Sequence, residues 1–261
     1  MMYSMVRVEI PARNDKECGS YLRGKPSSLR SDFSGHSLTL VPEKRGLRSR
    51  STSITRNCYA INDRLKDGIV IDVGAHIGFF CDLCLEKGAS FIDAYEANPE
   101  NFIIGSNRMS PSSSLRYRNI AVWSERRMIE LVVDDPVNTG SPSAMIEGKN
   151  IISVEAISLD EIVDEIGKEI KLLKMDCEGA EYPILHESNL SNVLNIVGEF
   201  HFLGMGGIGP VKKELDDMKE YDGETLMNHL RGVGFRTWHH PGGLFGATRE
   251  NDPPMSLPFE R

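Results

Sequence analysis

Val70-Ile-Asp-Val-Gly-Ala-His-Ile-Gly-Phe-Phe80 is followed further along the chain by Ala94-Tyr-Glu-Ala-Asn-Pro99. The first stretch is a run of mostly β-branched residues that ends in an acid and a glycine turn and then continues as an apolar helix. The second is the end of a short strand and also carries an acid, Glu96. In a Rossmann-like βαβ unit the glycines let the backbone approach a nucleoside, and the second acid accepts hydrogen bonds from its ribose hydroxyls. The two stretches therefore predict a nucleoside-binding α/β domain.

Strand and helix patterns alternate along the rest of the chain. Residues 128–133 and 151–157 predict an inserted antiparallel strand pair, and residues 235–238 and 244–248 predict a terminal hairpin. We therefore predict an α/β, Rossmann-like fold: a mostly parallel, doubly wound sheet with an antiparallel C-terminal hairpin and the inserted pair. The other predicted strands are residues 69–73, 91–95, 115–123, 170–175 and 195–202, and the predicted helices are residues 77–87, 99–107, 159–167, 181–187 and 224–233.

The composition of the chain is that of an ordinary soluble protein. It has 261 residues, of which 40% are hydrophobic and 26% are charged, and a chain of this length can bury a full core. Residues 1–50 are rich in Ser, Arg and Gly and predict a basic N-terminal arm. Residues 51–261 form the predicted main domain.

The charge of the chain is unevenly distributed. Residues 1–66 contain 13 Lys and Arg against 6 Asp and Glu, so the remainder carries 17 against 32, a net charge of −15. Because phosphate contacts need clustered Lys and Arg, this acidic domain predicts no nucleic-acid partner. No apolar run approaches the roughly 18 residues of a membrane span, and the odd number of cysteines, 5, fits reduced thiols. We therefore predict a cytoplasmic protein without a membrane span.

The glycine turn favours S-adenosylmethionine (SAM) over a dinucleotide. Gly74 and Gly78 are spaced as GxxxG, whereas a pyrophosphate site prefers GxGxxG. Asp72, at the strand end, can supply a negative charge for the ammonium group of SAM or hold the loop. Glu96 can bind both ribose hydroxyls, and Asn98 shapes the turn near the adenine edge.

A second block of polar residues follows a later strand in Lys174-Met-Asp-Cys-Glu-Gly-Ala-Glu-Tyr-Pro183. Asp176 comes at the carboxyl end of this strand, where doubly wound folds bind ligands. We assign Asp176 and Glu178 to the site. Glu181 is interpreted as an acid at a hydrated helix N-terminus, since acids favour that end of the helix dipole.

Two routes to activating an acceptor hydroxyl fit these residues. Alternation places Glu199 and His201 on the same side of the next strand, and His201 is the predicted general base, oriented by Glu199 or Asp176. The rival route uses Mg²⁺ held by Asp176, Glu178 and Glu199, because hard cations prefer oxygen ligands. The predicted catalytic set is His201, Asp176, Glu178 and Glu199.

Taken together, these blocks resemble the FkbM-type SAM-dependent methyltransferases. The resemblance covers residues 69–202 in the order and spacing of the family. The residues that carry it are VIDVGAHIGFF (70–80), YEANPEN (95–101), NIAVW (119–123), TGS (139–141), SLDEI (158–162), LLKMDCEGAEYPIL (172–185) and GEFH (198–201).

The resemblance implies a Rossmann-like class I methyltransferase fold and O-methylation of a hydroxyl, often on a sugar or a secondary metabolite. Many members carry Asn where His76 stands. The acceptor does not follow from the resemblance, because the substrate-facing loops vary within the family. The predicted cofactor-binding set is Asp72, Gly74, Ala75, His76, Gly78, Glu96, Ala97, Asn98, Ala121 and Asp176, with Asn98 and Ala121 near the adenine.

The function predicted from the sequence is thus SAM-dependent O-methylation of a small-molecule or carrier-bound hydroxyl, and a homodimer is the predicted assembly. The alternatives are a non-catalytic SAM-binding scaffold in a biosynthetic complex and an N-methyltransferase. An NAD-dependent reductase is disfavoured by the GxxxG spacing and by the terminal hairpin.

Overall fold

A computed structural model gives the fold and describes residues 58–133, 142–201, 212, 222–240 and 242–255. The predicted arm, the TGS motif and the last residue of the predicted strand 195–202 lie outside the described residues. The strands are β1 (Ile69–Val73), β2 (Phe91–Tyr95), β3 (Leu115–Arg118), β4 (Ala121–Trp123), β5 (Arg127–Val132), β6 (Ile151–Ser158), β7 (Leu172–Met175), β8 (Asn195–Glu199), β9 (Phe235–His239) and β10 (Leu244–Arg249). The helices are α1 (Phe79–Glu86), α2 (Pro99–Arg108), α3 (Leu159–Ile166), α4 (Glu181–Glu187) and α5 (Gly223–Gly232).

A seven-stranded sheet organises the described residues, in the order β3-β2-β1-β7-β8-β10-β9. Strands β3, β2, β1, β7 and β8 are parallel, and β10 is antiparallel to both β8 and β9. The terminal hairpin predicted from the sequence therefore closes one edge of the sheet. The predicted α/β fold class is confirmed.

The region after β2 differs from its prediction. Residues 115–123 form two strands, because the chain leaves the large sheet after β3 and enters a second sheet, ordered β4-β6-β5, at Ala121. The turn between them is tied down by the side chain of Asn119, whose Nδ2 donates to the carbonyl oxygen of Glu96 at 2.9 Å. The predicted pair β5 and β6 is antiparallel as expected, but it belongs to a three-stranded sheet in which β4 runs parallel to β6.

Both faces of the large sheet are buried, which explains its continuous apolar strands. Along β1, Val70 packs in one hydrophobic cluster and Ile71 in the other, and Leu172 and Leu173 of β7 divide in the same way. Because β1, β2, β7 and β8 are parallel, their carboxyl ends meet at one edge of the sheet. Every predicted site residue except Ala121 lies at or just beyond these four strand ends.

No helix within the described parts of the chain has the length and apolar character needed to cross a bilayer.

Candidate functional site

The glycine turn after β1 is packed against the end of β7. Gly74 has a φ of 75°, and a Cβ added to it would lie 1.8 Å from the carbonyl oxygen of Asp176. Gly78 has a φ of 83°, and a Cβ there would lie 2.2 Å from Sδ of Met109. The amides of Gly74 and Ala75 both donate to the carbonyl oxygen of Tyr95, at 3.0 and 2.9 Å. Only glycine fits at position 74, where a left-handed backbone combines with close contact to a backbone carbonyl, whereas at position 78 the left-handed backbone favours glycine and the Met109 side chain would have to move.

Glu96, at the end of β2, is the acid around which the turn closes. Its Oε2 accepts from the amide of His76 at 2.7 Å, and its Oε1 accepts from the amide of Asn98 at 2.8 Å. The side chain of Asn101 donates to the same Oε1 at 3.4 Å. Burial raises the pKa of Glu96, and the Asn98 and His76 amides oppose that rise. The carboxylate is held rigidly, and its oxygens keep lone pairs for further donors.

Asp72 is fully buried and forms an ion pair with a residue that the sequence analysis left unassigned. Nζ of Lys174 lies 3.1 Å from Oδ1 of Asp72 and also donates to the carbonyl oxygen of Gly74 at 2.6 Å. The two residues are register partners on β1 and β7. A lysine within the apolar strand β7 was the available signal, since a charge in a central strand requires a buried partner. Lys174 thus connects Asp72 to the glycine turn, and both predicted roles of Asp72 stay predictions.

Three of the remaining predicted cofactor residues, His76, Ala97 and Asn98, are next to Glu96. His76 has a φ of 50°, and burial, reinforced by Lys174, lowers its pKa to about 4. Asn98 caps α2 through its side chain, which accepts from the amide of Glu100. Ala97 directly follows Glu96, and Ala121 is buried at the start of β4.

Three residues at the ends of β7 and β8 form what we call the acid–histidine cluster: Asp176, Glu199 and His201. One ligand atom from each lies within 4.8 Å of the others. Asp176 and Glu199 are half-buried, whereas His201 is 4% exposed. Glu199 and His201 lie together as alternation predicts, and the glycine turn touches the cluster through the carbonyl of Asp176.

The interpretation of Glu181 as an acid at a hydrated helix N-terminus is wrong, because its side chain is fully buried. Its Oε1 lies 3.1 Å from Nδ1 of His201 and accepts from the amide of Cys177 at 2.8 Å, while its Oε2 accepts from the amide of Gly179 at 2.8 Å. Neither Glu199 nor Asp176, the two predicted orienting residues, makes that Nδ1 contact. Glu181 is therefore the residue that orients the imidazole.

Glu178 completes the surroundings of His201. It has a φ of 53°, and its Oε2 lies 3.5 Å from Nε2 of the imidazole. Burial alone would lower the pKa of His201, but Glu181, Glu178 and Asp176 outweigh burial and raise the pKa to about 10. Burial and the neighbouring charge of Asp176 also raise the pKa of Glu199 well above its ordinary value. The cluster contains more carboxylates than cationic groups to balance them.

Tyr59 is a site residue that sequence reasoning missed. Its hydroxyl donates to Oδ2 of Asp176 at 2.8 Å, and its ring packs edge-on against Phe80. It lies ahead of every motif, so nothing in its local sequence indicated this contact. Tyr59 fixes one oxygen of Asp176.

A model of the methyltransferase FkbM domain matches residues 72–237, which include every residue of the cluster and of the glycine turn. Comparison with curated proteins finds no match.

Solved structures are similar at low sequence identity. Methyltransferase FkbM from Methylobacillus flagellatus matches with a TM-score of 0.43 and 10% identity, over 76% of this chain and 53% of that one. A SAM-dependent methyltransferase from Mesorhizobium loti matches with a TM-score of 0.39 and 12% identity, over 71% of this chain and 92% of that one.

Proposed function

The chain belongs to the FkbM methyltransferase family, and on that premise we propose that it transfers the methyl group of SAM to a hydroxyl of a small or carrier-bound molecule. The observation that carries this proposal is the contact between the glycine turn and the acid–histidine cluster. Because Gly74 packs directly on the carbonyl of Asp176, a nucleoside held at Glu96 and an acceptor held at the cluster would be neighbours. Proximity of the two reactants is the main requirement of a methyl transfer.

The donor groups at the glycine turn fit SAM. The carboxylate of Glu96 is fixed by two backbone amides and can accept hydrogen bonds from ribose hydroxyls. A charged acceptor binds these hydroxyls more strongly than a neutral side chain would. When bound, SAM supplies an electrophilic methyl group on a sulfonium. The chain's part at this end is to hold the nucleoside: Glu96 would bind the ribose, and Asn98 and Ala121 would lie near the adenine.

The acid–histidine cluster is the proposed acceptor end. A hydroxyl is a poor nucleophile while it keeps its proton, so the cluster must weaken the O–H bond. His201 can accept the proton only when its imidazole is neutral, whereas the carboxylates around it favour the imidazolium. Glu181 holds Nδ1, so Nε2, which lies 3.5 Å from Oε2 of Glu178, is the ring nitrogen left for the acceptor. His201 therefore acts as the base only in a state in which the surrounding negative charge is offset.

The cofactor end is tested by calorimetric titration of SAM, S-adenosylhomocysteine and NADH into the purified full chain. We expect SAM and S-adenosylhomocysteine to bind and the Glu96→Ala variant to lose about 100-fold in affinity, since two charge-assisted hydrogen bonds disappear. Glu100→Ala is the matched control, because Glu100 is an exposed acid four residues further along. Binding of NADH alone would overturn the proposal.

The acceptor end is tested by transfer of a labelled methyl group from SAM to a panel of sugars, other alcohols and amines. Label on hydroxyl compounds supports O-methylation. Label on amines alone would make the protein an N-methyltransferase. SAM binding with no transfer to any acceptor is the result expected of a non-catalytic scaffold.

A further inference from the structure

We propose that the acid–histidine cluster is a binding site for one divalent transition-metal ion, with Asp176, Glu199 and Nε2 of His201 as its protein ligands. Mn²⁺ and Zn²⁺ suit this set better than Mg²⁺, because one of the three ligands is an imidazole nitrogen. The binding itself does not depend on the methyltransferase activity. The role of the ion in holding the acceptor hydroxyl rests on the proposed function.

The geometry of the three ligands carries the proposal. Their donor atoms lie within 4.8 Å of one another at the ends of two adjacent parallel strands, so one ion could contact all three after small side-chain movements. Asp176 and Glu199 are half-buried, which leaves a path from solvent, while His201 is 4% exposed. Two carboxylates this close together repel one another, and a dication between them would relieve that repulsion.

The orientation of His201 is the second, independent observation. Metal-bound histidines commonly direct their other ring nitrogen to a carboxylate that fixes the tautomer and the ring plane. Glu181 has that position: its Oε1 lies 3.1 Å from Nδ1, and two backbone amides hold the carboxylate in place. Nε2 is consequently the ring nitrogen left for the ion, and it lies 3.5 Å from the nearest oxygen of Glu178, a separation longer than a well-formed hydrogen bond.

Tyr59 orients one of the two oxygen ligands, Asp176. Its hydroxyl donates to Oδ2 of Asp176 at 2.8 Å, which leaves Oδ1 of the same carboxylate for the ion. Tyr59 therefore fixes one atom of Asp176 and Glu181 fixes one atom of His201, and the other carboxylate oxygen and ring nitrogen are the proposed ligand atoms. With the ion bound, Nε2 is a ligand and His201 is not the base; the dication would instead lower the pKa of a hydroxyl that coordinates it, which is the activation that the acceptor end requires.

The test is titration of Mn²⁺ into the EDTA-stripped full chain. Binding is measured as the loss of the electron paramagnetic resonance signal of free Mn²⁺. We expect one Mn²⁺ per chain, with affinity reduced at least ten-fold by Asp176→Asn or Glu199→Gln. Glu181→Gln should weaken binding about ten-fold through the orientation of His201. Glu250→Gln, at an exposed acid elsewhere, is the control and should change the affinity less than two-fold.

Two further measurements keep the proposal testable if a variant fails to fold. Pulsed resonance spectra of the wild-type protein with Mn²⁺ should show the modulation of a coordinated imidazole nitrogen, and its absence would overturn the assignment of His201. Release of Mn²⁺ by an equal concentration of Mg²⁺ would also overturn it. Calorimetry of SAM on the stripped protein separates the two proposals: SAM binding without Mn²⁺ binding refutes only the metal site, and the reverse refutes only the cofactor site.

Discussion

Two carboxylate sites lie at the same edge of the large sheet, and the acids in them have different partners. At the end of β2, both oxygens of Glu96 accept from backbone amides, those of His76 and Asn98. In the acid–histidine cluster, the carboxylates of Asp176 and Glu199 crowd around a single imidazole. The first site is made of an acid and N–H donors, whereas the second is made mainly of acids.

This difference indicates what each site is built to bind. Amides that already satisfy a carboxylate leave it rigid and able to accept further hydrogen bonds, which suits a neutral polyhydroxyl group such as a ribose. Carboxylates that repel one another gain most from a cation or a proton. Substitutions that remove one negative charge should therefore weaken the first site and relieve the second.

The largest effect on stability is expected at Glu181, a carboxylate of the second site that, like Glu96, accepts from two backbone amides. Glu181 accepts from two backbone amides and contacts His201, all in the protein interior. Glu181→Ala should lower the free energy of unfolding by about 3–5 kcal/mol, because it leaves a buried imidazole and two amides without their acceptor. Urea denaturation measures this loss. Glu187→Ala, at an exposed position of the same helix, should cost less than about 0.5 kcal/mol, and equal losses would refute the buried role of Glu181.

The next effect is at the first site itself. Glu96→Gln offers only one acceptor oxygen, so its NH₂ group must face one of the two backbone amides. We expect a loss of about 1.5–3 kcal/mol in the free energy of unfolding and about ten-fold or more in SAM affinity. Urea denaturation and calorimetry measure the two losses. A Glu100→Gln variant should leave both quantities unchanged. If Glu96→Gln also leaves them unchanged, the first site does not depend on the negative charge of Glu96.

The matched change at the second site should have the opposite sign. Glu199→Gln replaces a carboxyl group whose pKa is already raised by burial and by Asp176, so the neutral amide avoids the repulsion that the ionised carboxylate would suffer. In EDTA-treated protein we expect the free energy of unfolding to stay level or to rise by up to about 1 kcal/mol. Denaturation of both variants side by side is the measurement. If Glu199→Gln destabilises the protein as much as Glu96→Gln does, both carboxylates stabilise the fold and the contrast between the two sites is wrong.

Much of the fold could be predicted because its central strands are buried on both faces. Strands β1 and β2 and helix α4 have the bounds that were predicted, since apolar runs and turn residues mark them directly. The prediction of one strand over residues 115–123 was wrong because its break depends on a tertiary contact. No local pattern shows that the side chain of Asn119 binds the carbonyl of Glu96.

The site divides in the same way. Asp176, Glu199 and His201 could be placed together because parallel strands end at one edge and side chains alternate along a strand. Glu181 was misjudged because an acid in the first turn of a helix resembles a solvated one until the residue packed against it is known. Tyr59 carried no signal, because its partner lies 117 residues away.

The smallest effect concerns His76. Its backbone amide donates to Glu96 in the first site, whereas its imidazole lowers the stability of the folded protein at low pH. Burial, reinforced by Lys174, lowers its pKa from an ordinary value of 6.5 to about 4. Below about pH 6.5 the unfolded chain therefore binds a proton that the folded protein does not bind, so stability falls as the pH decreases from 6.5 towards 4. Above that range His76 contributes no pH dependence.

His76→Asn should remove this part of the pH dependence without disturbing the turn. Asparagine adopts the left-handed backbone at a φ of 50° more readily than most residues, and it keeps the amide that donates to Glu96. Urea midpoints at about pH 7 and pH 5 should differ less in the variant than in the wild-type protein, while SAM affinity at about pH 7 stays within two-fold. Equal midpoint differences would place the low-pH sensitivity elsewhere. A loss of SAM affinity would mean that the imidazole, and not only its backbone, belongs to the cofactor site.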